Sequence, residues 1–361
     1  MKIGFFTNSS KMGGAEHSLA DVFRVCMYDK TLISLGDGEL IDRVGPDNCK
    51  VFKPSDGKPK LMFFNKVFFL RKEFSSVDLV YANGNKAFVL AALIKLFLQG
   101  KYKIIWHVRD SFNASHFGPI RYVMGLLTHL VRARVIYNSD YSRRSLISSF
   151  GRNGTVIYNG FDPKLFEGKP DNNSPAEMVR MISTSRISPW KGQLELVNAL
   201  GKVKRNFQLT ICGDSLFGEN EYFDKVKQRV IELGLSNHVE FLGHVSDVPA
   251  LLKSGNYDLV LHSSILPEPF GRCIVESVLA GLPIVASKHG GVKEIVGDSP
   301  AVFLFDPNEC NGLVNAIELA VARVRFVTND LNELKDKISD MCSMSELEMK
   351  INKEIESAGC K

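Results

Sequence analysis

The chain has 361 residues, 45% hydrophobic and 24% charged, with a formal net charge of +5; this is the composition of a soluble globular protein long enough for two domains. Its seven cysteines (26, 49, 212, 273, 310, 342 and 360) include no C-x-x-C pair, which argues against a zinc knuckle or redox motif and fits a reducing cytoplasm. Residues 1–163 hold 23 Lys and Arg against 13 Asp and Glu, and the remainder 22 against 27, so the first half is expected to face an anion, either lipid headgroups or a phosphorylated acceptor.

Met1 to Phe6 reads as a first strand, not a secretory leader, because no apolar core with a cleavage site follows. Strand-like apolar runs then alternate with helical stretches. In the first half the strands fall near 2–7, 31–35, 50–53, 77–82, 103–108, 133–138 and 155–158, and the helices near 14–26, 61–74, 85–98, 119–131 and 140–149. The longest apolar run, Phe88 to Leu98, is interrupted by Lys95 and is too short to span a bilayer. Residues 168–176 (GKPDNNSPA) are polar and rich in turn formers, the best linker candidate. Beyond them strands are expected near 178–184, 207–212, 238–242, 257–262, 283–286 and 301–304, with helices between and a charged, helix-prone tail from Asn329. This alternation predicts an α/β protein with parallel sheets covered on both faces, built as two Rossmann-like domains whose ligands sit at strand carboxyl ends.

Several segments carry candidate chemistry. Gly13-Gly14 between the first strand and first helix form a loop that backbone can bring close to a phosphate or sugar, although it is not the G-x-G-x-x-G fingerprint. The stretch 61–74 (LMFFNKVFFLRKEF) has two readings: a core-packed helix, or an interfacial helix with phenylalanines in a bilayer and Lys66, Arg71 and Lys72 on its headgroups. His107 ends the strand 103–108, where a side chain can reach a sugar or acceptor; Arg109 and Asp110 are read as a mutual pair. Asn138-Ser139-Asp140 reads as a helix cap and Tyr158-Asn159-Gly160 as a turn. No helix-turn-helix, zinc or aromatic pattern points to nucleic acid.

In the second half, Arg186 and Lys191 bracket a short loop opening a helix, a fork and a point charge suited to phosphate. Gly213 and Asp214 end the next strand. Glu268 and Glu276 are separated by seven residues, with Pro269-Phe270-Gly271 after the first. A helix starting near Gly271 places Glu268 in the loop before it and Glu276 one to two turns inside, with backbone N–H groups around Phe270 and Gly271 facing an anion at the positive helix end. Gly290-Gly291 closes the segment.

These pieces together resemble the family 4 retaining, nucleotide-sugar-dependent glycosyltransferases of GT-B fold, carried by Gly13-Gly14-Ala15-Glu16, His107, Arg186 with Lys191-Gly192, Gly213-Asp214, Glu268 to Glu276 and Gly290-Gly291. The resemblance implies two parallel-sheet domains facing across a cleft: residues 1–167 on the acceptor side, a linker at 168–176, a donor domain at 177–328, and helices from 329 to 361 crossing back to the first domain. It implies that Arg186 and Lys191 bind the donor diphosphate, Phe270 and Gly271 add backbone donors, Glu276 holds the ribose, and Glu268 contacts the donor sugar near its reacting carbon. Gly14 approaches the diphosphate or sugar, and His107 the sugar or acceptor. The expected activity is transfer of a hexose-type or N-acetylhexosamine-type sugar from a UDP- or GDP-sugar to a glycan acceptor, lipid-linked, at the inner membrane face. The resemblance further implies a reaction that retains configuration and requires no metal or other cofactor. The alternatives are a sugar-nucleotide epimerase on the same scaffold and a non-catalytic nucleotide-sugar-binding membrane adaptor. On this reading Glu268→Ala abolishes transfer and leaves the fold intact.

Overall fold

The computed structural model describes residues 1–53, 59–112, 118–146, 154–168, 178–215 and 218–359. The chain divides into two compact units, one formed by Met1–Phe161 with Cys342–Lys361 and the other by Asp162–Met341.

The first unit runs β1 (Lys2–Thr7), α1 (Gly14–Val25), β2 (Asp29–Ser34), α2 (Glu39–Val44), β3 (Cys49–Val51), α3 (Pro59–Ser75), β4 (Leu79–Asn83), α4 (Asn85–Phe97), β5 (Lys103–Val108), α5 (Gly118–Val131), β6 (Arg134–Tyr137), α6 (Asp140–Ser145) and β7 (Thr155–Val156). Its strands form one parallel sheet in the order β3-β2-β1-β4-β5-β6-β7. The central strands are apolar at consecutive positions because helices cover both faces, so alternation sends neighbouring side chains into different cores. Phe6, Val80, Ile104, Trp106 and Val108 enter a core with Phe74, Phe88 and Met124 of α3, α4 and α5. Phe5, Tyr81 and Ile105 enter another with Leu19 and Phe23 of α1. Trp106 stacks on Phe88 with centroids 4.3 Å apart.

The second unit runs β8 (Val179–Thr184), α7 (Gln193–Leu200), β9 (Phe207–Cys212), α8 (Asn220–Glu232), β10 (Val239–Gly243), α9 (Val248–Leu252), β11 (Leu259–His262), α10 (Arg272–Leu279), β12 (Ile284–Ser287), α11 (Val292–Val296), β13 (Val302–Phe305), α12 (Gly312–Arg323) and α13 (Thr328–Met341). Its parallel sheet has the order β10-β9-β8-β11-β12-β13. Strand order reverses between β8 and β11, the position where open α/β sheets leave a crevice at strand carboxyl ends.

The tail is divided differently from the sequence expectation. α13 stays in the second unit, against α10 and α11, and only α14 (Met344–Gly359) belongs to the first. Leu347, Ile351 and Ile355 of α14 complete the core on the α1 side. Asn352 caps the end of α1, accepting from Met27 N at 3.0 Å and donating to Val25 O at 2.9 Å. Glu354 ties down the strand edge through Arg134 at 3.0 Å and Thr155 at 2.6 Å. The units part after Phe161 rather than 167, because Pro163–Phe166 forms a 3-10 turn that packs on α9 and α10. The expected linker, apart from Gly168, lies outside the described residues.

Of the two readings of α3, core packing holds for only part of its apolar side chains. Leu70 and Phe74 carry the core contact with Phe69 half-buried against it, whereas Phe63, Phe64 and Phe68 are 59%, 68% and 71% exposed. α4, which touches both α3 and α5, exposes Leu93, Leu96 and Phe97, and α5 exposes Tyr122, Val123, Leu126 and Leu130. Among the described residues no helix is long and apolar enough to cross a membrane.

Candidate active site

The strongest convergence lies at the carboxyl ends of β8 and β11. After β8 the chain turns through Ser185 to Ser188 into a 3-10 turn, Pro189–Lys191, and then Gly192 at φ 69°. A side chain there would place Cβ 2.2 Å from the Ser263 carbonyl, so glycine lets this turn lie against the segment after β11. Gln193, fully buried, braces the same turn. Its amide donates to Ser185 Oγ and Arg186 O, both at 2.9 Å, and its carbonyl accepts from Ser188 N at 3.3 Å. Lys191 thereby projects over the Trp190 ring, 4.2 Å from its centroid, and onto Glu268 Oε1.

Glu268 is 5% exposed, and its Oε1 is the meeting point of three donors. These are Lys191 Nζ, the Ser264 hydroxyl at 2.8 Å and His262 Nε2 at 3.1 Å. Oε2 accepts no hydrogen bond among the described residues. Burial opposes the charge on Glu268, but Lys191 and His262 outweigh it and hold the carboxyl far below its ordinary range. Burial likewise opposes a charge on His262, yet the Cys273 sulfur and Glu268 raise it to about 9. The site is thus a buried carboxylate facing the Lys191 ammonium and a His262 ring whose protonated form it favours.

The Glu268 backbone is fixed as tightly as its side chain. Gly290 bridges to it, and Gly291 N donates to Glu268 O at 2.8 Å. Gly290 sits at φ 88°, where an added Cβ would fall 2.2 Å from that carbonyl oxygen. Gly271 then caps α10 at φ 84°. Phe270, whose side chain is buried, directly precedes that cap, so its backbone lies at the positive end of α10. One turn along the helix Glu276 meets Arg272 at 3.5 Å.

The other predicted donor residues sit at varying distance from this centre. Arg186 is 3.6 Å from Glu219 and also approaches the Trp190 ring, 5.9 Å from its centroid. Gly213, at φ 143°, serves packing, because a Cβ there would lie 2.0 Å from Ser185 O, and its absence admits the β8 turn. Asp214 is exposed; its carbonyl accepts from Ile187 N at 3.0 Å and its carboxylate from Ser215 N at 2.7 Å.

In the first unit Gly13 caps α1 and Gly14 begins it. His107 is 1% exposed, with Nδ1 on the Tyr81 hydroxyl and Nε2 without a hydrogen-bond partner among the described residues. Burial and the neighbouring Arg109 both push its pKa well below the usual value, so the ring is neutral. Arg109, read from sequence as the partner of Asp110, donates to Asn83 and Asn159, each at 2.9 Å. Ser139 caps α6 as expected, accepting from Ser142 N at 3.0 Å.

The family described as Glycosyl transferases group 1 matches residues 166–333, and Glycosyltransferase Family 4 matches residues 20–165. Among solved structures, HepE from Anabaena in complex with UDP and glucose superposes with a TM-score of 0.88 at 31% identity, covering 99% of this chain and 100% of that one. The chain belongs to the family 4 GT-B glycosyltransferases. Curated relatives include a GDP-mannose-dependent phosphatidylinositol monomannoside mannosyltransferase of Mycobacterium tuberculosis, 25% identical over 54% of this chain and 54% of the relative. The lipopolysaccharide 1,2-N-acetylglucosaminetransferase of Salmonella typhimurium is 30% identical over 46% and 47%. The matched segment thus spans about half the length of such relatives.

Within this family 4 frame, sequence reasoning missed His262, Ser264 and Gln193. The available signal was three successive polar residues, His262-Ser263-Ser264, closing an apolar strand six residues before Glu268. Gln193 gave no signal, since one glutamine at a helix start reads as solvated surface.

Proposed function

We propose that this glycosyltransferase moves a hexose-type or N-acetylhexosamine-type sugar from a nucleoside-diphosphate sugar to a glycan acceptor with retention of anomeric configuration. The observation that carries the reading is the meeting of Lys191 with Glu268 at the β8/β11 carboxyl ends: a phosphate-seeking cation beside a buried carboxylate at the amino end of a helix. Lys191 and Arg186 neutralise the diphosphate as the bond to the anomeric carbon breaks and its electron pair leaves with the nucleotide. Phe270 and Gly271 add backbone donors, Glu276 takes the ribose hydroxyls, and Glu268 meets the sugar. In the first unit Gly13 and Gly14 are assigned to the diphosphate or sugar of the donor, and His107 to the donor sugar or acceptor. The HepE structures with UDP and UDP-glucose favour a uridine donor.

A thermal-shift panel with UDP, GDP, ADP and dTDP tests this. A nucleotide at about 100 times its dissociation constant stabilises by about 2.7 kcal/mol, several degrees for a unit of this size. UDP is expected to give that shift, and Arg186→Ala/Lys191→Ala to remove it. Absence of any shift in the wild type would refute the diphosphate site.

The acceptor reading is lipid-linked glycan at an anionic membrane surface. It is supported by the exposed Phe63, Phe64 and Phe68, by Lys66, Arg71 and Lys72 on the same helix, and by the exposed apolar side chains of α4 and α5. Each basic residue near such a surface contributes about 1 kcal/mol. Reversing all three charges is therefore expected to weaken binding to phosphatidylglycerol-containing vesicles by at least about 100-fold, with UDP affinity unchanged. Equal vesicle sedimentation of both forms would remove the membrane from the reading.

A further inference from the structure

Lys191 has two claims on it. In this structure it pairs with Glu268; in the reaction proposed above, on which this inference rests, it turns to the diphosphate. Were Lys191 the only partner, each binding event would strand a carboxylate that is 5% exposed, and an uncompensated buried charge is strongly unfavourable. Two further donors stand on the same oxygen. His262 Nε2 lies 3.1 Å from Glu268 Oε1, and Ser264 Oγ lies 2.8 Å from it and 3.2 Å from the same ring nitrogen. His262 is 3% exposed and Ser264 is buried, so neither is exchanged for water when a ligand arrives.

We propose that His262, assisted by Ser264, is a positioning residue that retains Glu268 Oε1 when Lys191 leaves for the donor diphosphate. Glu268 then keeps one oxygen anchored and presents Oε2, which bears no hydrogen bond among the described residues, to the donor sugar. His262 touches no substrate in this scheme. It acts through Glu268 and lowers the cost of releasing Lys191, so its loss must be felt as weaker diphosphate binding.

UDP affinity measured by calorimetry reads this directly, because UDP contains the diphosphate and no sugar. His262→Phe is expected to weaken UDP binding about tenfold, within the range for coupled neighbouring groups. His262→Gln, which keeps an N–H donor, is expected to recover part of the loss. In a Glu268→Gln background no carboxylate remains to be stranded, and His262→Phe should change UDP affinity less than about twofold, as expected once the coupling is removed. Unfolding midpoints without ligand identify a variant that fails to fold, and His262→Gln carries the comparison in that case. Equal UDP affinity of wild type and both single variants would overturn the proposal. So would an equal loss in the Glu268→Gln background, which would mark His262 as a packing residue. A wild type that binds no UDP would instead overturn the uridine-donor reading.

Discussion

Replacing Glu268 by alanine is expected to destabilise the second unit as well as silence it, contrary to the sequence-based expectation of an intact fold. The reason is the company that the carboxylate keeps. The side chains of Lys191 and Glu268 are 13% and 7% exposed, and His262 shares the same oxygen. Truncation leaves the Lys191 ammonium without its anion and the His262 ring without its acceptor, and breaking a buried pair from one side costs about 3–5 kcal/mol. For a unit of this size that is a fall in melting temperature of about 10 °C. Glu268→Gln keeps the shape and an acceptor oxygen and should lose much less stability. Both variants should lose turnover by about 100-fold or more, the range for deleting a preorganised electrostatic group; nucleotide release from UDP-glucose reads this. The wild-type pair contributes stability only while both groups are charged. Glu268, whose pKa is depressed, contributes above its ordinary value near 4.5 and less as pH falls below it. His262, whose pKa is raised, contributes fully below 6.5 and loses that contribution as pH rises through about 9. Glu268→Gln should flatten the melting profile at both ends. Near-normal turnover in Glu268→Gln, or unchanged melting in Glu268→Ala, would contradict this account.

The second large effect is expected from one methyl group at Gly290. Its φ of 88° already disfavours an L side chain, by about 1–2 kcal/mol. The added Cβ would also stand 2.2 Å from Glu268 O and 2.6 Å from Glu268 N. Both are backbone atoms in a bridged segment that cannot swing aside, so overpacking adds about 1–3 kcal/mol. Gly290→Ala should therefore displace Glu268 and lower turnover with it. Gly281 provides the control, since its φ is 75° and nothing lies within 4 Å of the built Cβ. Gly281→Ala should show the conformational penalty alone and keep its turnover. Equal loss of turnover in the two variants would mean that the glycine pair has no particular hold on Glu268.

Parallel sheets follow from alternating apolar runs and helices, though the strand order within them does not, and β1, β5 and β9 fall on the residues where their patterns place them. Buried parallel strands read clearly because they are apolar at successive positions with charged helices between. α2 was invisible: its six residues, ELIDRV, are too few to display a helical period. In the site, spacing revealed Glu268 and Glu276 but not what surrounds them. The partners of Glu268 arrive from positions 191, 262, 264, 290 and 291, and only the fold brings them together. Gly290 illustrates the difference. In sequence it is one of two loop glycines; in space it is the residue whose missing side chain admits the Glu268 carbonyl. The phenylalanines of α3 left two readings open, core or interface, and hydrophobic identity alone does not tell which of them face inward: the helix meets the core through Leu70 and Phe74.

The placement of α14 has a consequence for biogenesis. The second unit is one uninterrupted stretch, Asp162–Met341, and every strand and helix it needs has been synthesised before α14 appears. The first unit, although begun first, still lacks Leu347, Ile351 and Ile355 in its core and the Asn352 cap on α1. On the ribosome its sheet waits with an apolar face uncovered while its successor matures. The part of the chain made earliest is the last to be finished, and during that interval it is the part in need of a chaperone.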